Sequence, residues 1–378
     1  MGAIEICVNA SGDSDLQRER LALLRKQMSA RGVDACVIPR ADEYLGEYLP
    51  EHNERLHWLT GFTGSAGMAV VLRDSAAMFV DGRYTVQVRS QVHADHYRYE
   101  HLIETPPLQW LAGQLPAGAR VLVDPRMHSL SWYRRCEEIL GAAGIEICPT
   151  TDNPVDACWE GRPEPLRRAA LCLEERFSGE SSASKRARIG AQVEGLGADA
   201  ALIFAPDSVS WLLNVRGRDI PGLPILQSFA ILEATGDLHL VVDPQRIPES
   251  FTAHVGDGVT VVEEARAEAL LAGWQGRKVL ADPDTANAWT QLVLLEGGAE
   301  LIAGQDPVLL PQACKNTVEI SGARSAHERD GVAETRFLAW LDREGAGGRL
   351  HDEATLAERL GAFRAETALF HEPSFDTI

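Results

Sequence analysis

Gly32-Val33-Asp34-Ala35-Cys36-Val37-Ile38-Pro39 reads as a glycine stop followed by a short apolar strand, and the chain repeats it as Gly197-Ala198-Asp199-Ala200-Ala201-Leu202-Ile203-Phe204. Two more anchors recur in the same order. Trp58-Leu59 returns as Trp211-Leu212, and Arg120-Val121-Leu122-Val123-Asp124-Pro125 returns as Lys278-Val279-Leu280-Ala281-Asp282-Pro283. The offsets are 165, 153 and 158 residues. Shared order at near-constant spacing implies two similar α/β units in tandem, with the segment after about Leu310 belonging to neither.

Around the first anchor, Ser14 signals a helix start with Gln17 in capping-box position, and Leu21, Leu24 and Met28 form one apolar stripe. Gly32 ends that helix and a strand follows over 35–39. A polar, irregular stretch over 40–56 leads to strands at 68–72 and 76–80, joined by Arg73-Asp74-Ser75. Their apolar density suits a sheet covered on both faces. Helices over 108–115 and 129–140 flank a strand at 120–123. The second unit repeats the pattern: a helix over 183–196, strands at 200–204, 228–233, 238–242 and 278–281, and a helix over 286–295. Strands alternating with helices predict an α/β sheet in each unit. The proline-rich run Asn153-Pro154-Val155-Asp156-Ala157-Cys158-Trp159-Glu160-Gly161-Arg162-Pro163-Glu164-Pro165 reads as the connector.

After Pro311 the pattern changes. Asn316 and Glu319 make an N-cap and N3 pair, and Gly322, Ala326, Ala333, Phe337 and Leu341 share a helical face. Gly345-Ala346-Gly347-Gly348 breaks this helix, and Leu356, Leu360 and Phe363 form a second stripe. Two helices with apolar faces and no sheet to cover imply that the third region is incomplete as given.

The chain has 378 residues, 45% of them apolar and 24% charged, enough for two or three domains each with its own core. No apolar stretch approaches the roughly 20 residues of a membrane span. Met1-Gly2-Ala3-Ile4-Glu5 lacks the basic start of a secretory signal, and Ile6 stands where a myristoylation signal needs Ser or Thr. A net charge of −19 argues against nucleic acid or anionic lipid as partner. Seven cysteines, without Cys-x-x-Cys spacing, read as reduced, mostly buried thiols.

Five constellations could carry chemistry. Gly61-Phe62-Thr63-Gly64-Ser65-Ala66-Gly67 lacks the Lys-Ser/Thr ending of a P-loop and the Gly-x-Ser-x-Gly spacing of a nucleophile elbow, so it reads as a glycine turn entering a sheet. His93, Asp95, His96, Glu100 and His101 fit no helical two-ligand spacing and read as a solvated stretch. Glu47, Tyr48, Glu51, Glu54 and Arg55 form an acidic loop, either solvated or offering a carboxylate to a substrate ammonium. In Asn214-Val215-Arg216-Gly217-Arg218-Asp219, an Arg216–Asp219 pair is expected to hold a turn. His327-Glu328-Arg329-Asp330 is not the zinc motif His-Glu-x-x-His. None assembles a complete metal site or acid–base pair.

Taken together, several motifs resemble the three-domain Xaa-Pro aminopeptidases. Arg55 and Trp58-Leu59-Thr60-Gly61-Phe62-Thr63-Gly64-Ser65-Ala66-Gly67, then Val80-Asp81-Gly82-Arg83-Tyr84, resemble that family's first domain. Asn153-Pro154-Val155-Asp156, Trp159 and Arg162-Pro163 are similar to its interdomain signature. Asp207-Ser208-Val209-Ser210-Trp211-Leu212-Leu213-Asn214-Val215-Arg216-Gly217 and Asp219-Ile220-Pro221 resemble the centre of its second domain, with Arg218 departing from the small polar residue expected there. Lys315-Asn316, Glu319, Gly322, Ala326-His327, Arg329-Asp330-Gly331 and Phe337-Leu338-Ala339-Trp340-Leu341 resemble the opening helix of its catalytic domain, and Ser374-Phe375-Asp376-Thr377-Ile378 the strand after it.

The resemblance implies two creatinase-like α/β domains, 1–152 and 153–310, each a mixed sheet flanked by helices. The start of an incomplete α+β pita-bread domain follows at 311–378. It implies cytoplasmic hydrolysis of peptides with proline second, homodimerisation of the intact enzyme, and two divalent metals, manganese by preference, held by two Asp, one His and two Glu. Those ligands are expected beyond Ile378, so no metal ligand or catalytic group is assigned within this chain, and the chain alone is expected to bind no metal and to be inactive. Glu47, in Gly46-Glu47-Tyr48, matches a first-domain loop that reaches the catalytic cleft, and its implied role is to bind the substrate's terminal ammonium. Two alternatives stand beside this reading: a non-catalytic binding module derived from the same fold, as in a histone-chaperone subunit with a dead pita-bread domain, and another pita-bread hydrolase such as a prolidase. The duplicated front half argues against the second.

Overall fold

A computed structural model describes residues 10–373. Fourteen strands are found among them: β1 Ala35–Pro39, β2 Gly67–Leu72, β3 Ala76–Val80, β4 Arg98–His101, β5 Arg120–Val123, β6 Glu146–Pro149, β7 Leu171–Cys172, β8 Ala200–Ile203, β9 Val215–Arg216, β10 Phe229–Glu233, β11 Leu238–Val241, β12 Val259–Val262, β13 Lys278–Ala281 and β14 Glu300–Ala303. One six-stranded sheet has the order β4-β3-β2-β1-β5-β6, and the other β12-β11-β10-β8-β13-β14. The orders coincide when β1 is matched to β8 and β5 to β13. β7 and β9 form a small separate ribbon.

The registers coincide too. β1 and β5 are parallel with Ala35 opposite Val121, and β8 and β13 are parallel with Ala200 opposite Val279. The repeated aspartate explains why. Asp34 N–H donates to Arg120 O (2.7 Å) while its carboxylate accepts from Arg120 N–H (2.8 Å). Asp199 does the same with Lys278, at 2.8 and 2.7 Å. Each Gly-x-Asp-Ala therefore pins two parallel strands at their entry, satisfying backbone groups that would otherwise lie open at a sheet end. The second repeated aspartate turns the chain: Asp124 accepts from Arg126 N–H and Asp282 from Asp284 N–H.

Alternation along β1 divides the core. Cys36 and Ile38 face a cluster with Leu21, Leu24, Met28 and Leu59, while Ala35 and Val37 face another with Leu111, Tyr133 and Leu140. The sheet is thus covered on both faces, by the helix Ala10–Ala30 on one side and Pro107–Gln114 with Leu130–Ala142 on the other. The predicted stripe of Leu21, Leu24 and Met28 is fully buried. The predicted start is not where the sequence suggests. Ser14 lies inside a helix that already runs from the first described residue, and Gln17 closes no capping box; its amide donates to Gln91 O and accepts from His93 N–H instead.

Segments β4 and β12 escape sequence reading because they are short and only partly covered, so they lack a burial-driven alternation. The polar stretch after β1 ends in a helix, Arg55–Thr60, whose stop at Gly61 has φ +77°. Trp58 sits in it, as Trp211 sits in the helix Pro206–Leu213. Downstream, Asn316 and Glu319 form the expected capping box of the 30-residue helix Thr317–Ala346. It ends at the glycine run, and Glu353–Ala365 packs beside it through ion pairs of Arg364 with Asp330 (2.6 Å) and of Arg336 with Glu366. Ser374–Ile378 lies outside the described residues.

The chain divides into two compact units: Met1–Leu166 with Gly197–Ala205 and Ala265–Asp306, and Arg167–Leu196 with Pro206–Glu264 and Pro307–Ile378. Within the first unit, equivalent pieces of the two repeats meet. Ser129 and Asn287, each the N-cap of its helix, form an antiparallel bridge, Ser131 N–H donates to Pro283 O (2.9 Å), and Ala288 N–H donates to His128 O (2.7 Å). The expectation of mostly buried thiols holds only in part. Among the described cysteines, Cys36 and Cys136 are buried, Cys148, Cys158 and Cys172 are half-buried, and Cys314 is exposed.

Candidate functional site

In an open α/β sheet, ligands usually bind beyond the carboxyl ends of parallel strands where the connection order reverses. For the first sheet that place lies beyond β1 and β5. A small cavity there is lined by Ile38, Pro39, Arg55, Asp124, Met127 and Asn153. It is closed by the connector, whose Asn153 amide donates to Asp124 (3.0 Å). A polar network grows from the same plug. Arg55, 2% exposed, forks onto Asp156 at 2.6 and 2.9 Å and reaches Glu43 at 2.7 Å. Arg162 also pairs with Asp156 (2.8 Å) and donates to His52 O (2.7 Å). Trp159 stacks on Trp58 with centroids 5.6 Å apart. Motifs about a hundred residues apart thus form one joint. Burial is the largest single influence on the Glu43 carboxyl and would raise it; the charge and hydrogen bond of Arg55, a backbone N–H and the Arg126 charge together overcome this and hold it below the ordinary range.

Glu47 stands on the loop above this network, exposed to solvent. The loop is built on Asp42, 1% exposed, whose carboxylate accepts from Tyr44 N–H (3.1 Å) and Gly46 N–H (2.9 Å). Leu45 takes φ +57°, strained for a side-chain-bearing residue. Burial pushes the Asp42 carboxyl up to about 6, against those hydrogen bonds. Arg40 donates to Glu47 O (2.7 Å) and Ser65 O (3.4 Å). Ser65 shares a 2.6 Å hydrogen bond with Tyr84, and Asp81 holds Arg83 at 2.7 Å. The glycine turn over 61–67, the Asp81–Tyr84 segment and the Glu47 loop are therefore one rim. A Cβ on Gly64 would lie 2.3 Å from the Phe62 ring, so the turn needs glycine for packing, with no phosphate required.

The remaining candidates resolve as follows. His96 shares a hydrogen bond with Ser14, and His101 Nδ1 accepts from Ile103 and Glu104 N–H. His327 bonds Ala323 O on its own helix. Among the described residues no group of three His, Cys, Asp or Glu is placed to hold a metal. The expected Arg216–Asp219 pair does not form. Asp219 is buried against Arg246 (3.1 Å), a closer-fitting cation from the turn after β11, while Arg216 donates to Val215 O (2.8 Å). Sequence reading also passed over Asp42, Glu43 and Lys185. Lys185 lies 3.8 Å over the Trp211 ring and donates to Trp211 O (3.0 Å) and Asn214 Oδ1 (2.8 Å).

Two profiles of the creatinase/prolidase N-terminal domain match this chain, over residues 20–158 and 161–319. The chain belongs to the creatinase/prolidase family. It carries two of that family's N-terminal α/β domains, and it is homologous to Xaa-Pro aminopeptidase P along most of its length. A probable Xaa-Pro aminopeptidase P of Neosartorya fischeri is 31% identical over 376 residues, 95% of this chain and 57% of that protein. One from Aspergillus oryzae is 32% identical over 374 residues, again 95% of this chain and 57% of the relative. The crystal structure of an X-prolyl aminopeptidase from Caenorhabditis elegans, described as a cytosolic enzyme with a di-nuclear active site, superimposes with a TM-score of 0.89 at 26% identity. It covers 96% of this chain and 62% of its own. The chain therefore spans less than two thirds of the length of these relatives.

Proposed function

We propose that the intact protein is a metal-dependent Xaa-Pro aminopeptidase, removing the residue that precedes an N-terminal proline, and that residues 1–378 supply its scaffold and part of its substrate rim. The observation that carries this reading is the likeness of fold to the X-prolyl aminopeptidase of C. elegans over nearly the whole chain. Domains are assigned as 1–152, 153–310 and 311–378, the last opening a pita-bread domain. The described residues do not fit a metal pair. Two divalent ions, manganese in this proposal, are therefore assigned to the part of the relatives that this chain does not span. When bound there they would activate the water that attacks the peptide carbonyl. A cytosolic homodimer is the proposed state of the intact enzyme. Support for the compartment comes from the cytosolic relative, and no helix among the described residues is long and apolar enough to cross a membrane.

Within this chain the assigned role is that of Glu47. Its backbone is fixed by Arg40 and by the Asp42 turn, and its side chain is exposed to solvent, in the field of Arg83, where it would receive the substrate's ammonium. The full-length protein with Mn2+ is expected to release the first residue from Xaa-Pro peptides and little from Xaa-Ala peptides. Absence of that release would remove the functional reading. Glu47→Gln is expected to lower kcat/KM about 10- to 100-fold, chiefly through KM, the loss of one charge-assisted hydrogen bond of about 1.5–3 kcal/mol. Normal turnover by Glu47→Ala would remove only the role of Glu47.

A further inference from the structure

The loop that carries Glu47 is held by the second repeat as well as by the first. Asn287 Nδ2–H donates to Glu43 O at 2.8 Å, across 244 residues of sequence. Beside this contact the Tyr44 ring lies against the ring of Phe204, just beyond β8, with centroids 6.4 Å apart. Asn287 and Phe204 belong to the same compact unit as the loop. Glu43 is thus pinned from two sides. Its carboxylate accepts from Arg55 (2.7 Å) and Asn53 (2.8 Å) of the first repeat, and its carbonyl accepts from Asn287 of the second. The turn that follows is tight: the Asp42 carboxylate accepts from Tyr44 and Gly46 N–H, Asp42 O accepts from Leu45 N–H (3.1 Å), and Glu47 comes next. A displaced Glu43 carbonyl therefore moves the turn that presents Glu47.

The structural duty of Asn287 uses only half of its side chain. It caps the helix Ala288–Glu296, its Oδ1 accepting from Thr290 N–H (2.9 Å). The other repeat shows what that duty requires. Asp124 and Asp282 are equivalent, and Ser129 and Asn287 follow them at the same spacing. Ser129 caps its own helix with a hydroxyl that accepts from Trp132 N–H (3.3 Å). Serine and asparagine cap about equally well. Capping therefore does not account for an amide at 287. Its N–H donor does, because it reaches a loop that only the first repeat possesses. At 3% exposure, Asn287 makes this bond away from water.

We propose that Asn287 is a positioning residue: building on the reading of Glu47 as the ammonium site, its amide fixes, from the second repeat, where the loop presents that carboxylate. The second repeat then takes part in substrate binding without touching substrate.

The test compares Asn287→Ser, Glu47→Ala and the double variant in the full-length protein with Mn2+. Asn287→Ser copies the cap of the first repeat and removes the donor to Glu43 O. In hydrogen exchange the amides of Tyr44, Leu45 and Gly46 should open about 3- to 10-fold more often, the worth of one neutral hydrogen bond, with Thr290 and β13 amides unchanged. On an Xaa-Pro peptide KM should rise by a similar factor with kcat nearly kept, and the double variant should match Glu47→Ala alone. Asn287→Asp also keeps the cap but sets a carboxylate oxygen against Glu43 O, so its KM should rise at least as far. Unchanged loop exchange in Asn287→Ser, a normal KM there beside a raised one in Glu47→Ala, or additive effects in the double variant would each overturn the proposal. A normal KM in Glu47→Ala would instead overturn the role of Glu47, and this proposal with it. If Thr290 also loses protection in Asn287→Ser, the cap has failed, and Asn287→Asp decides by the same readouts.

Discussion

Replacing Arg55 by methionine should unfold the first unit at markedly lower urea, and the structure gives the size. The guanidinium is buried and makes three charge-assisted hydrogen bonds, two to Asp156 and one to Glu43. Removing one partner of a buried ion pair costs about 3–5 kcal/mol, because the other charge stays behind unpaired. Here the lower end applies. Asp156 keeps Arg162, Glu43 keeps a hydrogen bond from Asn53, and the two carboxylates are 23% and 30% exposed. A loss of about 3 kcal/mol is expected for Arg55→Met. Arg55→Lys keeps the charge but cannot fork, and about 1.5–2 kcal/mol is expected. The readout is exchange of β1 and β5 amides in urea, which isolates this unit in a chain not required to unfold in one step. Salt should change the cost little, since the pair is poorly screened. The pH dependence adds an independent check. With Arg55 in place, Glu43 is held low, so its contribution is present above its unfolded pKa and lost as pH falls through the lower folded value. Without Arg55, burial raises Glu43, and the contribution is lost as pH rises through the carboxylate range. Arg55→Lys within about 0.5 kcal/mol of wild type, or equal pH slopes for wild type and Arg55→Met, would refute the reasoning.

Two further outcomes follow from single groups. Asp42, raised to about 6, binds its proton more tightly folded than unfolded, so its contribution is lost as pH rises from about 4 through 6; the stability difference between wild type and Asp42→Asn should shift by roughly 2–3 kcal/mol over that window, and parallel pH–stability curves would contradict it. A Cβ at Gly217 would sit 1.8 Å from Ile225 O, a backbone atom, so Gly217→Ala should cost about 3 kcal/mol or more, and an unchanged Tm would show that the chain yields there.

Much of the fold was legible because burial writes a period into sequence. The run Cys36-Val37-Ile38 could be read as a strand since both its faces are covered, and Leu21, Leu24 and Met28 as a helix since one face is. Where burial is partial, at β4 and β12, no period was written. The polar network was illegible for another reason. Arg55 and Asp156 lie 101 residues apart, and nothing in either segment states that the connector returns to the ends of β1 and β5. Pairing of Asp219 with Arg246 and not Arg216 is the same problem at shorter range. Proximity along the chain favoured Arg216, and the tertiary fold brought a better-placed cation.

The rim, however, left a trace in the repeat itself. Gly32 and Gly197 are 165 residues apart, but Trp58 and Trp211 only 153, so the first repeat carries twelve extra residues between strand and tryptophan. The structure puts them in one place. The second repeat passes from β8, ending at Ile203, to the helix at Pro206 almost directly, whereas the first travels from Pro39 to Arg55. That longer path holds Asp42, Glu43, the strained Leu45 and Glu47. Where Arg55 anchors it, the 153-residue offset leads to Ser208, a buried hydroxyl without a hydrogen-bond partner among the described residues. Scaffold aspartates at 34, 124, 199 and 282 are common to both copies because both sheets need them. The ionic network exists in one copy because only that copy has a loop to hold. The repeats thus differ most where the first carries this added loop, and Glu47 lies on it.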